Sequence, residues 1–362
     1  MSIIENKPKI IVILGPTASG KSDLAVKIAI QLSSGQAQKL FGINGAEIIS
    51  ADSRQVYKNL DIGTAKPLIS PARQNRAGAK LSAPPTGGAT MPVYSQGIPH
   101  YLIDIKNPNQ PYTVAQYKRN CLKAIKKVLL KNKLPILVGG TGLYIKAVVD
   151  NLQIPAVKPN SRLRKKLEKE LGSKGLDYLY EKLIKLDPEA AYIIDKHNPR
   201  RVIRALEITL TTNKPFSSQR KIGQKLFNAL KIGIYFPGEK LKEKINQRID
   251  WMIKKGLVRE VKKLIKKYPA DNPVFDAIGY REIINYLKYA DKYRLQRINT
   301  DIRINQFNPH KSASLNETIN QIKKNTWHYA KRQMTWFRKD KEVNWVKNQK
   351  EAEKLVREFL RF

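Results

Sequence analysis

Short, unbroken apolar runs alternate along this chain with longer stretches in which apolar residues return every three or four positions. Lys9 to Leu14 (KIIVIL) is rich in β-branched residues and stops at Gly15, the pattern of a strand buried on both faces of a parallel sheet. From Ser22 to Leu32, the residues Leu24, Ala25, Ile28, Ala29 and Leu32 recur at helical spacing. A second strand is predicted over Glu47 to Ser50, leading into Ala51-Asp52-Ser53, and a third over Leu134 to Val138, closed by Gly139-Gly140-Thr141-Gly142. Between them Val114 to Leu130 carries Val114, Tyr117, Cys121, Ile125, Val128 and Leu129 on one helical side. This alternation predicts an α/β fold with a three-layer core built on a parallel sheet.

Residues 71–97 interrupt the rhythm: they are rich in Asn, Ala, Gly and Pro, keep no period, and read as an irregular surface insertion. Past Asp150, the spans Asn160 to Leu171, Leu176 to Leu186 and Arg200 to Thr211 are helical by spacing, the last entered through Asn198-Pro199. Segment 156–222 is therefore expected to be an all-helical insertion domain. Leu230 to Phe236 (LKIGIYF), stopped by Pro237-Gly238, regains strand composition and belongs with the first sheet. The core is thus expected in two parts, 8–155 and 225–345, followed by a helical C-terminal tail over 346–362. A polar break at Thr300 to Ala313 precedes a long helix from Leu315 to Arg338.

Charge changes the picture more than composition does. Of 362 residues, 68 are Lys or Arg and 30 are Asp or Glu, a formal net charge of +38. Such an excess repels itself and fits a polyanionic partner, nucleic acid first, while lysine spread over solvated helices is the plain alternative. Lys254 to Lys267 shows the pattern locally, with one helical side of Leu257, Val261, Leu264 and Ile265 and a basic remainder. No apolar stretch approaches the ~20 residues of a membrane span, and Met1 to Pro8 has no export pattern, so a cytoplasmic protein is expected. The single cysteine, Cys121, sits on the apolar side of a predicted helix and reads as a core thiol.

The chemistry begins at Gly15-Pro16-Thr17-Ala18-Ser19-Gly20-Lys21-Ser22, which fits the phosphate-binding loop of nucleotide- and ATP-binding proteins, with a strand before it and a helix after it. Backbone N–H groups of the loop and the positive end of the following helix point at one anion. Lys21 adds a full charge, and Ser22 can ligate Mg²⁺. The core is therefore expected to resemble a P-loop NTPase, although the loop itself does not name the reaction. Asp52, at the end of a strand, is either a general base or metal partner at the sheet edge, or a cap for whatever begins at Ser53. Thr141 either presents its hydroxyl at the same edge or caps the next helix. Arg248 lies in a helix beside Ile245, Ile249 and Met252, where a surface arginine is the default. His100, His197, His310 and His328 have no metal spacing.

Taken in order, these segments resemble the bacterial-type tRNA dimethylallyltransferase family, also called tRNA isopentenyltransferase. The resemblance rests on Gly15 to Ser22, Ala51 to Tyr57, Asp61-Ile62-Gly63-Thr64-Ala65-Lys66-Pro67, Pro99-His100 with Leu102-Ile103-Asp104, and Val138 to Tyr144. It continues through Asn198 to Arg201, Arg204-Ala205-Leu206-Glu207, Ile278 to Glu282, and Lys331-Arg332-Gln333 with Thr335-Trp336. It implies transfer of a dimethylallyl group from dimethylallyl diphosphate to N6 of adenosine 37 in tRNA, with the anticodon stem-loop as partner. It further implies that Asp52 takes the amine proton, and that Gly15, Thr17, Ala18, Ser19, Gly20, Lys21, Ser22 and Arg248 hold the diphosphate with Mg²⁺. Thr141 would contact the bridging oxygen, and Lys331, Arg332 and Arg338 would face RNA while Trp336 packs in the core. A monomer without a protein partner is expected. Two departures stand out: Ser22 replaces a common threonine, and His197-Asn198 replaces Asn-Asp before Pro-Arg-Arg.

Overall fold

The computed structural model describes residues 7–68, 91–155, 157, 160–219, 221–299 and 314–361. The chain divides into two compact units, Met1–Ile145 with Phe227–Phe362, and Lys146–Leu226.

The larger unit is built on a seven-stranded sheet of β1 (Lys9–Leu14), β2 (Ala46–Ser50), β3 (Val93–Ser95), β4 (Ile98–Tyr101), β5 (Leu134–Gly139), β6 (Asn228–Ile234) and β7 (Val343–Val346). The order is β3-β4-β2-β5-β1-β6-β7, parallel except for the antiparallel β3–β4 pair. β1 lies in the interior of the sheet between β5 and β6, Ile13 beside Val138 of β5 and Ile232 of β6. Ile10 to Leu14 are all buried, because a strand covered on both faces has no solvent side to make polar. On one face pack α1 (Lys21–Leu32), α2 (Gly35–Phe41) and the C-terminal α12 (Gln349–Arg361), through Leu24, Ile28, Ala37, Val356 and Leu360. On the other lies α3 (Val114–Leu129), opened by a capping box between Thr113 and Gln116 and burying Tyr117, Cys121, Ile125 and Val128.

A second core, separate from the sheet, gathers α8 (Gly238–Lys254), α9 (Leu257–Lys267), α10 (Tyr280–Asn299) and α11 (Leu315–Phe337) around Ile245, Ile249, Leu257, Val261, Tyr280 and Ile322. α4 (Gly142–Val149) carries the chain out of the larger unit. The smaller unit contains α5 (Ser161–Leu186), α6 (Ala190–Ile193) and α7 (Pro199–Thr212). Gly175, at φ 82°, breaks α5 between its two predicted halves, and Asn198 caps α7 with Pro199 in the first turn. Glu207 is buried there, accepting hydrogen bonds from Arg164 (2.6 Å), Arg204 (2.8 Å) and the Asn160 amide (2.7 Å).

Three features depart from the pattern reading. The irregular stretch expected over 71–97 ends in regular structure, since Val93–Ser95 pairs with β4; residues 69–90 lie outside those described. β7 occupies the boundary where only a helical tail was expected: four residues, VNWV, carry too little pattern to be read, and pairing with β6 makes the strand. The basic run Lys254 to Lys267 is broken by Gly256 at φ 100°, so it spans the joint between α8 and α9. The polar break expected over 300–313 lies outside the described residues.

Candidate active site

β1, β2 and β5 all end at one edge of the sheet, so the loops that follow them are neighbours. The segment after β1 turns tightly, with the Ser19 amide donating to the Pro16 carbonyl (3.3 Å) and α1 starting at Lys21. Ala18 at its crown adopts φ 62°, a strained conformation for a residue with a Cβ. The loops after β2 and β5 lock together: the Thr141 amide donates to the Ala51 carbonyl (3.1 Å) and the Ser53 amide to the Thr141 hydroxyl (3.1 Å). Asp52 follows Ala51 and uses Oδ1 to accept from the Arg54 (2.8 Å) and Gln55 (3.3 Å) amides. It therefore caps a turn, as the plain alternative had it, and that cap fixes the carboxylate at the sheet edge. Among the described residues Oδ2 accepts no hydrogen bond.

A cleft of about 930 Å³ opens over these loops within the larger unit. Thr17, Ala18, Gly20, Lys21, Ser22, Asp52 and Arg248 line it; Gly15, Ser19 and Thr141 are not part of its lining, and Thr141 is tied to the neighbouring Ala51 and Ser53. Ser19 is buried, and its hydroxyl has no hydrogen-bond partner among the described residues. Lys21 donates to the Pro16 carbonyl (3.1 Å). Burial, reinforced by the nearby Arg248, brings its ammonium down to about 8, with Asp52 opposing the shift. Burial also lowers the Arg248 pKa against the attraction of Asp52 and Asp23. Arg248 is thus no ordinary surface arginine: α8 places it beside the phosphate loop.

The cleft is electropositive. Lys21, Arg54, Lys244, Arg248, Arg281 and Arg332 face Asp23, Asp52 and Asp276, an excess that suits an anion. One stretch of wall is apolar, formed by Ile249, Met252, Leu257, Ile278 and Ile322. Of the four histidines, His100 is buried, bonded to the Ile98 carbonyl (2.9 Å) and part of the cleft lining, while His310 lies outside the described residues. Among the described residues no three His, Cys, Asp or Glu side chains gather as a metal site.

α11 supplies two groups to which sequence reasoning assigned no role. Gln333 is buried and bridges two loops: its Oε1 accepts from the Thr17 amide (2.8 Å) and its Nε2 donates to the Gly140 carbonyl (2.8 Å). A Cβ on residue 140 would lie 2.3 Å from Gln333 Nε2, so a side chain there would have to displace the Gln333 amide. Tyr329 lines the cleft, its hydroxyl pushed up to about 12 by burial and then by the charge of Asp52. The signal was present as polar positions on an inward helical face, with Ile322, Thr326, Ala330, Gln333 and Phe337 all buried along one side. Trp336 corrects an expectation in the other direction: it is 38% exposed and lies over Gly142 rather than inside a core. Lys331, Arg332 and Arg338 are exposed.

A phosphate-loop motif at the carboxyl edge of a parallel sheet, with a carboxylate and half-buried cations in one cleft, points to a protein that does chemistry beside a bound phosphate group. Comparison with known proteins identifies which one. The family model described as IPP transferase matches residues 86–340, and the chain belongs to that family. It is 39% identical over 330 residues to the tRNA dimethylallyltransferase of Acetivibrio thermocellus, covering 90% of this chain and 87% of that one. The tRNA dimethylallyltransferase of Thermoanaerobacter sp. is 40% identical over 333 residues, covering 90% and 88%. Among solved structures, the tRNA isopentenylpyrophosphate transferase of Bacillus halodurans matches with a TM-score of 0.60 and 33% identity over 98% of this chain and 97% of that one. A eukaryotic dimethylallyltransferase solved acting on tRNA matches with a TM-score of 0.62 and 29% identity, covering 91% and 69%.

Proposed function

We propose that this chain transfers the dimethylallyl group of dimethylallyl diphosphate to N6 of adenosine 37 in the tRNA anticodon loop, releasing diphosphate. The observation that carries this reading is the placement of Asp52 in one cleft with Lys21 and Arg248, a base beside an anion grip. The diphosphate lies against the loop amides, Lys21 and Arg248. The five-carbon tail lies against Ile249, Met252 and Ile322, which offer it no competing polar group.

The exocyclic amine of adenine is a weak nucleophile, because its lone pair is delocalised into the ring. In the transfer, N6 attacks the first carbon of the dimethylallyl group, the carbon–oxygen bond breaks, and the electron pair leaves with the diphosphate. Asp52, held by two backbone amides on Oδ1, takes the amine proton on Oδ2. Lys21 and Arg248 stabilise the charge that grows on the departing oxygens. Thr141, whose oxygen already accepts from Ser53, keeps its proton to offer the bridging oxygen. The Ser22 hydroxyl, with Asp23 and Asp52 in the same cleft, is a donor set suited to Mg²⁺, which takes most of its ligands from phosphate and water. When bound, the ion would neutralise diphosphate charge. The adenine reaches Asp52 only when unstacked from its neighbours, as in other enzymes that act on a base. The chain works in the cytoplasm as a monomer; among the described residues no helix is long and apolar enough to cross a membrane.

The test is a transfer assay with tRNA or an anticodon stem-loop and dimethylallyl diphosphate, read as the mass of the modified adenosine. Asp52→Ala should lose transfer by about a hundredfold or more while keeping its affinity for diphosphate and RNA. A wild-type protein that yields no five-carbon adduct, but turns over a nucleoside triphosphate without RNA, would favour the small-molecule kinase reading of the same loop.

A further inference from the structure

α9 is basic on its outer side, with Arg259, Lys262, Lys263, Lys266 and Lys267 exposed. Its one acid, Glu260, turns inward and binds a loop of another part of the chain. Glu260 Oε2 accepts from the amides of Asp61 (3.2 Å) and Ile62 (2.8 Å), and Oε1 from the Gly63 amide (3.3 Å) and the Tyr280 hydroxyl (2.6 Å). Three successive N–H groups form a concave nest that ordinarily takes an anion, and here the protein fills it with its own carboxylate. Tyr280 is fully buried, and its ring occupies the space where a Cβ on residue 63 would sit, 2.4 Å away. Only glycine lets the loop approach so closely.

The other side of the loop lines the cleft through Gly63, Thr64, Ala65 and Pro67. From there the connections run to the proposed base. Gln55 Nε2 donates to the carbonyls of Thr64 (3.2 Å) and Ala65 (3.3 Å), Gln55 Oε1 accepts from Ser50 Oγ (3.1 Å), and the Gln55 amide donates to Asp52 Oδ1. Lys66 ties the same loop to the Tyr57 carbonyl (2.6 Å), to Asp61 (2.7 Å) and to Asp104. Neither Glu260 nor the loop has a hydrogen bond to Gly15 to Ser22 among the described contacts.

We infer that Glu260 is a positioning residue for the transfer: by holding residues 61–63 it sets the Gln55 side chain, and through it the Asp52 carboxylate. It serves the base side of the cleft and leaves the diphosphate side alone. The inference rests on the reading of Asp52 as the base.

Glu260→Gln puts an amide N–H₂ against donors on one half of the nest, and Tyr280→Phe removes a single bond while leaving the three amides held. In E260Q, kcat should fall about tenfold or more, affinity for inorganic diphosphate should stay within about twofold, and Y280F should keep most of the activity. Hydrogen exchange should rise at the amides of 61–63 in E260Q and not at those of 15–22. Wild-type transfer by E260Q, loss of diphosphate affinity in step with kcat, or exchange raised equally at both loops would each overturn the inference. Failure of the wild type to transfer would instead sink the functional reading, and the exchange experiment would still decide whether Glu260 holds the loop.

Discussion

Replacing Gln333 by alanine removes two hydrogen bonds at once, one buried and one half-buried, both 2.8 Å long, and leaves the Thr17 N–H and the Gly140 carbonyl without their partner. An abandoned buried donor or acceptor costs about 1–3 kcal/mol. Two of them, with some relief from entering water, set the expected loss at about 3 kcal/mol. The loss should appear in urea denaturation as a lower midpoint at unchanged slope, and, on the proposed reading of the loop that contains Thr17, as weaker binding of inorganic diphosphate. Gly140→Ala approaches the same contact from the other side, since its Cβ would meet Gln333 Nε2 at 2.3 Å. The two substitutions should therefore be non-additive, Gly140→Ala costing less once Gln333 has been shortened. A loss below about 1 kcal/mol in Gln333→Ala, or strict additivity of the pair, would refute the bridge.

Lys21 gives a pH signature. Its pKa falls from 10.5 to about 8, so the folded protein binds fewer protons than the unfolded chain between those values, and this group makes stability rise with pH across that window. Diphosphate needs the charged form, so the affinity advantage of wild type over Lys21→Arg should shrink as pH climbs through about 8; calorimetric titration on both sides of that value checks it. In the smaller unit, Glu207→Ala strands Arg164 and Arg204 and should cost about 3 kcal/mol in the unfolding of that unit, followed by thermal denaturation, while diphosphate binding persists. Affinity for the anticodon stem-loop should fall steeply with salt, as bound Lys and Arg displace counterions; a flat response in filter binding would make the +38 charge a general surface property.

The central strands and the phosphate loop were legible because their signals are local. KIIVIL can only be buried, Gly15 to Ser22 have fixed spacing, and the strand and helix around the loop follow from apolar periodicity. The edge strands β3 and β7 were not legible, for three or four residues carry no period and their strand character comes from the neighbour they pair with. Asp52 was legible as a residue at a strand end, but the turn it caps was not, because that cap became visible only when the Arg54 and Gln55 amides were seen to hold one oxygen.

By itself the sequence determined that a phosphate-loop motif stands at the front of an α/β core, between a strand and a helix. Only the tertiary structure decided what stands opposite. On its own helix Arg248 reads as a surface arginine, and only the family resemblance raises it to an anion ligand; Gln333 reads as one polar residue among many, and Glu260 as the odd acid in a basic run. Each meets a partner far along the chain: Asp52 and Asp23 for Arg248, Thr17 and Gly140 for Gln333, and the amides of 61–63 for Glu260. A hydrogen bond or a desolvated charge is a property of two groups brought together, and only the folding of distant segments onto one sheet edge brings them together.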